Sequence, residues 1–115
     1  MAQVTVVGSF VQDHCWVTDR FPAVGETRIG QFLTGPGGKG FNQAIASLRQ
    51  GASTRFVGAL GGDVLATTAR DFATREGLDC VWQTGEGRPP ATASIVVDRN
   101  GHNLIVVDLG ANLAL

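Results

Sequence analysis

Hydrophobic and polar positions along this chain change period several times, and the changes mark its elements. VTVVG (4–8) is a short, continuous, β-branched run, the pattern of a strand buried on both faces. SFVQDHCWVTD (9–19) has no clean period and reads as irregular. FPAVGE (21–26) carries turn residues, and TRIGQFLT (27–34) is a weak strand interrupted by a glycine. Over 38–50 the period becomes helical: Phe41, Ala44, Ile45 and Leu48 recur at i, i+3, i+4 and i+7, and Gly51 is the stop. STRFVGAL (53–60) predicts a strand. Asp63 is an N-cap for a helix over about 64–76 that Gly77 ends. DCVWQT (79–84) is a further strand, GEGRPP (85–90) a loop, and ATASIVVD (91–98) and HNLIVVDL (102–109) form a hairpin around Arg99-Asn100-Gly101.

The alternation of strands and helices argues for a parallel sheet with covering helices. The hairpin and the weak strand at 27–34 do not fit it and point to a second, small antiparallel sheet. The last residues, VVDLGANLAL, hold neither a capped helix nor a polar tail, and two helices leave one sheet face poorly covered. The chain therefore reads as the front part of a larger fold. Asn112 either starts a truncated helix or lies near a ligand.

Composition narrows the function classes. With 115 residues, 43% hydrophobic and 17% charged, the chain is long enough for one domain with a core. A net charge of −1 with scattered Lys and Arg gives no footprint for nucleic acid or an acidic membrane. No apolar run approaches the ~20 residues of a membrane span, and the opening MAQVTVVGSF lacks the form of a signal peptide. Cys15 and Cys80 fit no metal spacing and read as free thiols of a cytoplasmic protein. His14 and His102 read as surface or hairpin polar groups. Trp82 reads as packing, and Trp16 as packing or as a wall near Asp13. Glycine stands out: 16 residues, about twice the usual ~7%, placed between apolar runs rather than in linkers.

The glycines concentrate in GPGGKGFNQA (35–44), just ahead of the helical pattern. Gly35-x-Gly37-x-x-Gly40, with Asp63 some way downstream, formally matches a dinucleotide fingerprint. That fingerprint belongs directly after the first buried strand, whereas this loop lies far beyond VTVVG. A Walker loop fails, because Gly40 stands where a Ser or Thr should follow Gly38-Lys39 and Leu33 replaces the first glycine. What remains is either a plain turn or a polar ligand at a helix N-terminus. Free N–H groups and Lys39 and Asn42 would supply hydrogen bonds there.

GGKGFNQA, followed by Gly51 and Gly61, closely resembles the first signature of the ribokinase (PfkB) family of carbohydrate kinases. The resemblance runs along the chain: VVGSFVQD is similar to the family's opening strand and Gly-Ser-x-x-x-Asp, and FPAVGET to its entry into the lid. FVGALGGD resembles the strand and Gly-x-Asp before its second helix, and PPATASIVVDRNGHNLIVVDLGAN its second pair of lid strands. The resemblance implies an α/β fold, the N-terminal part of a ribokinase-like Rossmann-type αβα sandwich with a small β-sheet lid. Core elements would lie at about 3–8 and 38–84. The lid would be 27–34 plus the hairpin 91–109, within segments of about 12–34 and 91–109.

The resemblance also implies an ATP-dependent kinase that phosphorylates a sugar hydroxyl, with a nucleoside kinase of the same fold as the alternative and a dinucleotide-binding module as a rival class. Asp13 would accept hydrogen bonds from two sugar hydroxyls, and Gly37, Gly38, Lys39 and Asn42 would contact others. Strand alternation leaves Ile95 and Val97, or equally Ser94 and Val96, facing the sugar; similarity to the family favours Ile95 and Val97. ATP and Mg²⁺ are the implied cofactors of the full-length enzyme, with a monovalent cation as an optional third. The nucleotide pocket, the Mg²⁺ segment, and the Gly-Ala-Gly-Asp loop with its catalytic aspartate have no counterpart in this sequence. The segment alone would then bind neither cofactor and be inactive. Pairing of lids into a homodimer is also implied. Two departures bear on the sugar: Val11 stands where ribokinases carry Asn, and Ile95 is bulkier than the small residue common there.

Overall fold

The computed structural model describes residues 3–62, 64–84 and 87–115. The elements in order are β1 (Gln3–Val7), β2 (Val11–Val17), β3 (Gln31–Gly37), α1 (Lys39–Arg49), β4 (Ser53–Leu60), α2 (Val64–Glu76), β5 (Asp79–Thr84), β6 (Thr92–Val97), β7 (Asn103–Asp108) and a 3₁₀ turn, Gly110–Ala114. Among these residues the strands form two sheets, β1-β4-β5 and β3-β2-β6-β7. The first is wholly parallel. In the second, β2 and β6 are parallel while β2–β3 and β6–β7 are antiparallel.

One apolar cluster takes Phe41, Ala44 and Ile45 from α1, Ala66, Ala69 and Ala73 from α2, and Phe56 and Leu60 from β4. Both helices therefore cover the same face of the parallel sheet. Its centre is aromatic: the Phe41 ring meets Phe10 edge-on at 5.0 Å and Phe56 at 5.3 Å, and Trp82 meets Phe56 at 5.4 Å. Each fully buried Phe removes enough apolar surface from water to contribute about 1.5–3 kcal/mol. On the opposite face Val7, Val57 and Val81 stand in one register row across three strands. Val7 is 66% exposed and Val81 48%.

The two helices end alike. Gly51, at φ 95°, donates to Leu48 O while Ala52 donates to Ser47 O. Gly77 and Leu78 repeat the arrangement on Thr74 and Ala73. These paired bonds satisfy the last helical carbonyls. The N-cap expected at Asp63 and part of the 85–90 loop lie outside the described residues.

Two sequence expectations need correction. Residues 11–17, read as irregular, form β2, the strand that joins both halves of the second sheet. Val11, Asp13, Cys15 and Val17 point to one face and Gln12, His14 and Trp16 to the other, so a carboxylate among apolar residues hides the period of two. The strand read over 27–34 begins only at Gln31 and runs on through Gly35-Pro36-Gly37. Pro36 is tolerated because β3 is an edge strand. The hairpin forms as expected, with Gly101 at φ 81°. The Asp98 carboxylate accepts the N–H groups of Asn100 and His102 and meets His102 Nδ1 at 3.0 Å, so His102 is a turn residue.

Candidate functional site

The site forms where the β1–β2 connection, the end of β3 and the start of α1 converge. Gly38 is the N-cap of α1 at φ 97°, ψ 135°, a backbone region closed to side chains, and a Cβ there would lie 2.5 Å from Ser9 O. The Ser9 carbonyl accepts the Phe41 N–H at 3.1 Å, capping the helix through the backbone. Gly40 packs on Gly8 with its built Cβ 2.8 Å from the Gly8 Cα. Gly38 and Gly40 are thus explained by packing. Gly37 differs: a Cβ there would overlap the Asp13 carboxylate. Around Gly35 the space is open.

Asp13 sits mid-strand in β2, opposite Gly35 on β3 and Ala93 on β6. Burial pushes its carboxyl above the ordinary 3.8, and the nearby His14 works weakly the other way. Among the described residues no hydrogen bond reaches the carboxylate, so both oxygens are free to accept. Its backbone is held from behind: the Thr34 hydroxyl donates to Asp13 O at 2.8 Å and accepts from Gln12 Nε2 at 2.9 Å. His14 Nδ1 lies 3.1 Å from the same hydroxyl, and its ring stacks on Phe32.

Ile95 and Val97 share the Asp13 face, in register with Cys15 and Val17. Ser94 and Val96 fall on the other face with His14 and Trp16. Trp16 is therefore not a wall beside Asp13; it packs on Phe32 at 5.2 Å on the reverse of the sheet. Lys39 and Asn42 are exposed on the first turn of α1. Among the described residues neither side chain bonds Asp13, and Asn42 lines a neighbouring groove of about 430 Å³ with Pro36, Ile45 and Phe72. Asp13, Gly37, Ile95 and Val97 thus share one sheet face, with Val97 at its far end opposite Val17, and Lys39 and Asn42 lie to one side on α1. Sequence reading missed Cys15, Leu33 and Ile105 on the Asp13 face; counting by twos from Asp13 would have found Cys15. The two thiols are free. Cys80 is pushed up to about 11 by burial and by the Asp79 charge, which leaves it a core thiol without nucleophilic character.

Among the described residues no helix is long and apolar enough to cross a membrane. The glycine loop follows a strand of the second sheet rather than the first parallel strand, which removes the context of a dinucleotide fingerprint. A parallel layer with helices on one face, joined to a small mixed sheet that presents a carboxylate over a glycine loop, defines an α/β protein of ribokinase-like architecture.

Comparison with known proteins agrees. The profile of the pfkB family carbohydrate kinases matches residues 1–115, and the chain belongs to that family. It is 38% identical to the ribokinase of Mus musculus, over 99% of this chain and 36% of that protein. The ribokinase structure from Giardia lamblia superposes with a TM-score of 0.87 at 35% identity, covering 96% of this chain and 34% of the other. The Arabidopsis thaliana ribokinase complexed with ribose and ATP gives a TM-score of 0.79 at 31% identity, covering 97% and 38%. The chain spans little more than a third of the length of these relatives.

Proposed function

We propose that this chain is the acceptor-binding and lid portion of a cytoplasmic, ATP-dependent, ribokinase-like sugar kinase. The observation that carries the reading is the unpaired Asp13 carboxylate pressed against Gly37, with Val11, Cys15 and Ala93 as its neighbours on the sheet face. A carboxylate offers two acceptors and no donor, which suits two neighbouring hydroxyls of one sugar. Gly37 and Gly38, whose missing side chains make room for Asp13 and Ser9, offer backbone groups to the sugar hydroxyls. Lys39 and Asn42, exposed on the first turn of α1, would reach the outer hydroxyls only with their side chains extended past their present positions, and Ile95 and Val97 cover the sugar and keep water away.

The chemistry of these residues is binding, orientation and water exclusion. ATP with Mg²⁺ supplies the phosphoryl group in the full-length kinase. Among the described residues no three His, Cys, Asp or Glu side chains converge as metal ligands. This segment alone is inactive. The exposed apolar edge strand β7 favours pairing of two lid sheets in a homodimer.

The test is a panel of sugars and nucleosides assayed for ATP turnover with the full-length kinase and for binding to this chain. Sugar phosphorylation that Asp13→Ala abolishes supports the reading. Turnover of nucleosides alone, or full activity in Asp13→Ala, refutes it.

A further inference from the structure

On the face of the second sheet opposite Asp13, Trp16 of β2 and Val96 of β6 meet the β2–β3 connection around a cavity of about 180 Å³, completed by Thr18, Pro22, Arg28 and Gly30. Trp16, Pro22 and Val96 give it apolar walls. The Thr18 hydroxyl donates to the Ile29 carbonyl at 3.1 Å, so its proton is already used. The remaining polar side chain is Arg28, whose Nε is fully buried and has no hydrogen-bond partner. The Glu26 carboxylate, two residues away, is taken: it accepts Arg20 at 2.8 and 3.1 Å and the Ala23 N–H at 3.2 Å. Among the described residues no carboxylate pairs with Arg28. A buried cationic N–H without an acceptor is costly, and an anion in the cavity would offset that cost.

We propose that this cavity binds a small aromatic carboxylate, its two oxygens on the Arg28 fork and its ring against the Trp16 indole. A guanidinium presents Nε–H and an Nη–H in parallel, the spacing of the two oxygens of a carboxylate. The apolar walls suit a flat hydrocarbon body, whereas they would leave the further oxygens of a phosphate without donors. The volume is below the ~300 Å³ at which drug-sized sites begin, which limits the occupant to a single ring. The cavity and Asp13 lie on opposite faces of the sheet, so the proposal does not rest on the sugar-site reading.

Titrating benzoate into the chain tests this, read by tryptophan emission and by calorimetry. Trp16 is 40% exposed whereas Trp82 packs against the core, so quenching reports on the cavity. Benzoate should quench the emission, and Trp16→Phe should remove the quenching. Benzamide keeps the shape without the charge and acetate keeps the charge without the ring; each should bind roughly tenfold or more weaker than benzoate. Arg28→Leu should abolish binding. Arg28→Lys, which keeps the charge and loses the fork, should weaken it by roughly tenfold, and serves alone if Arg28→Leu does not fold, with thermal unfolding as the control. Benzoate binding unchanged in the Arg28 variants overturns the proposal. So does inorganic phosphate or acetate binding as tightly as benzoate, and so does the absence of benzoate binding to the folded native chain.

Discussion

The side-chain amide of Asn112 grips the backbone of Phe10 from both sides: its Nδ2 donates to the Phe10 carbonyl at 2.9 Å and its Oδ1 accepts the Phe10 N–H at 3.4 Å. A primary amide has the donor and acceptor of a peptide group, so Asn112 replaces a missing strand neighbour at the buried connection between β1 and β2. It caps no helix. Asn112→Ala leaves both Phe10 groups unpaired and should cost about 1–3 kcal/mol, read from the denaturant midpoint. Asn112→Asp, which keeps only the acceptor, should lose most of the same amount.

Gly40→Ala should destabilise despite the better helix propensity of alanine. The new methyl meets the Gly8 backbone, which cannot turn aside as a side chain could, and overpacking of this kind costs about 1–3 kcal/mol. Gly35→Ala is the control. Nothing lies within 4 Å of its Cβ, so its thermal midpoint should match or exceed that of the native chain.

Asp13→Asn should trade binding for stability. Burial raises the Asp13 carboxyl above 3.8, so the folded chain binds this proton more tightly than the unfolded one. The contribution of the group to stability is full below the ordinary aspartate range and is lost as pH rises through the raised value. Near neutrality the ionised acid is a net cost. The neutral isostere should therefore melt higher there, with the gain fading as pH falls through the raised value and below 3.8. Sugar binding should weaken sharply at every pH.

Asp98 behaves in the opposite sense. Burial pushes its carboxyl upward, but bonds from the His102 ring and from the His102 and Asn100 N–H groups outweigh this and hold it below 3.8. Its contribution is present above the ordinary range and lost as pH falls through the lowered value. Asp98→Ala should speed amide hydrogen exchange at Asn100 and His102 while leaving α1 unchanged.

Ile105→Lys places a charge on the Asp13 face of the edge strand β7, where Ile105 is 52% exposed. If lid sheets pair through this face, sedimentation velocity should show the native chain self-associating and the variant as monomer. A native chain that stays monomeric at high concentration would sink the dimer.

Much of the architecture was legible because packing and local pattern agreed. Phe41, Ala44 and Ile45 show helical spacing and are buried, and Gly51 and Gly77 end the helices at the positions their φ values require. Legibility failed in the second sheet. Both of its faces carry partners, with Asp13 among apolar residues on one and His14 and Trp16 on the other, so no face reads as simply polar. Gly35-Pro36-Gly37 reads as loop by composition, yet edge strands accept such residues. At Gly38 and Gly40 contact with Ser9 and Gly8, partners far away in sequence, leaves no room for a side chain, and no local pattern announces it. The Asn112 brace had no local signal at all.

The pairing of β2 with β6 has a kinetic side. Residues 12–17 find their parallel neighbours only at 92–97, across an intervening stretch that holds β3, α1, β4, α2 and β5. Loop closure over that separation is entropically expensive, and pairings of this kind slow folding. On a ribosome the strand that carries Asp13 would have β3 as its only sheet neighbour until residues 92–97 have emerged. The sheet face that bears the candidate site therefore waits on the emergence of β6.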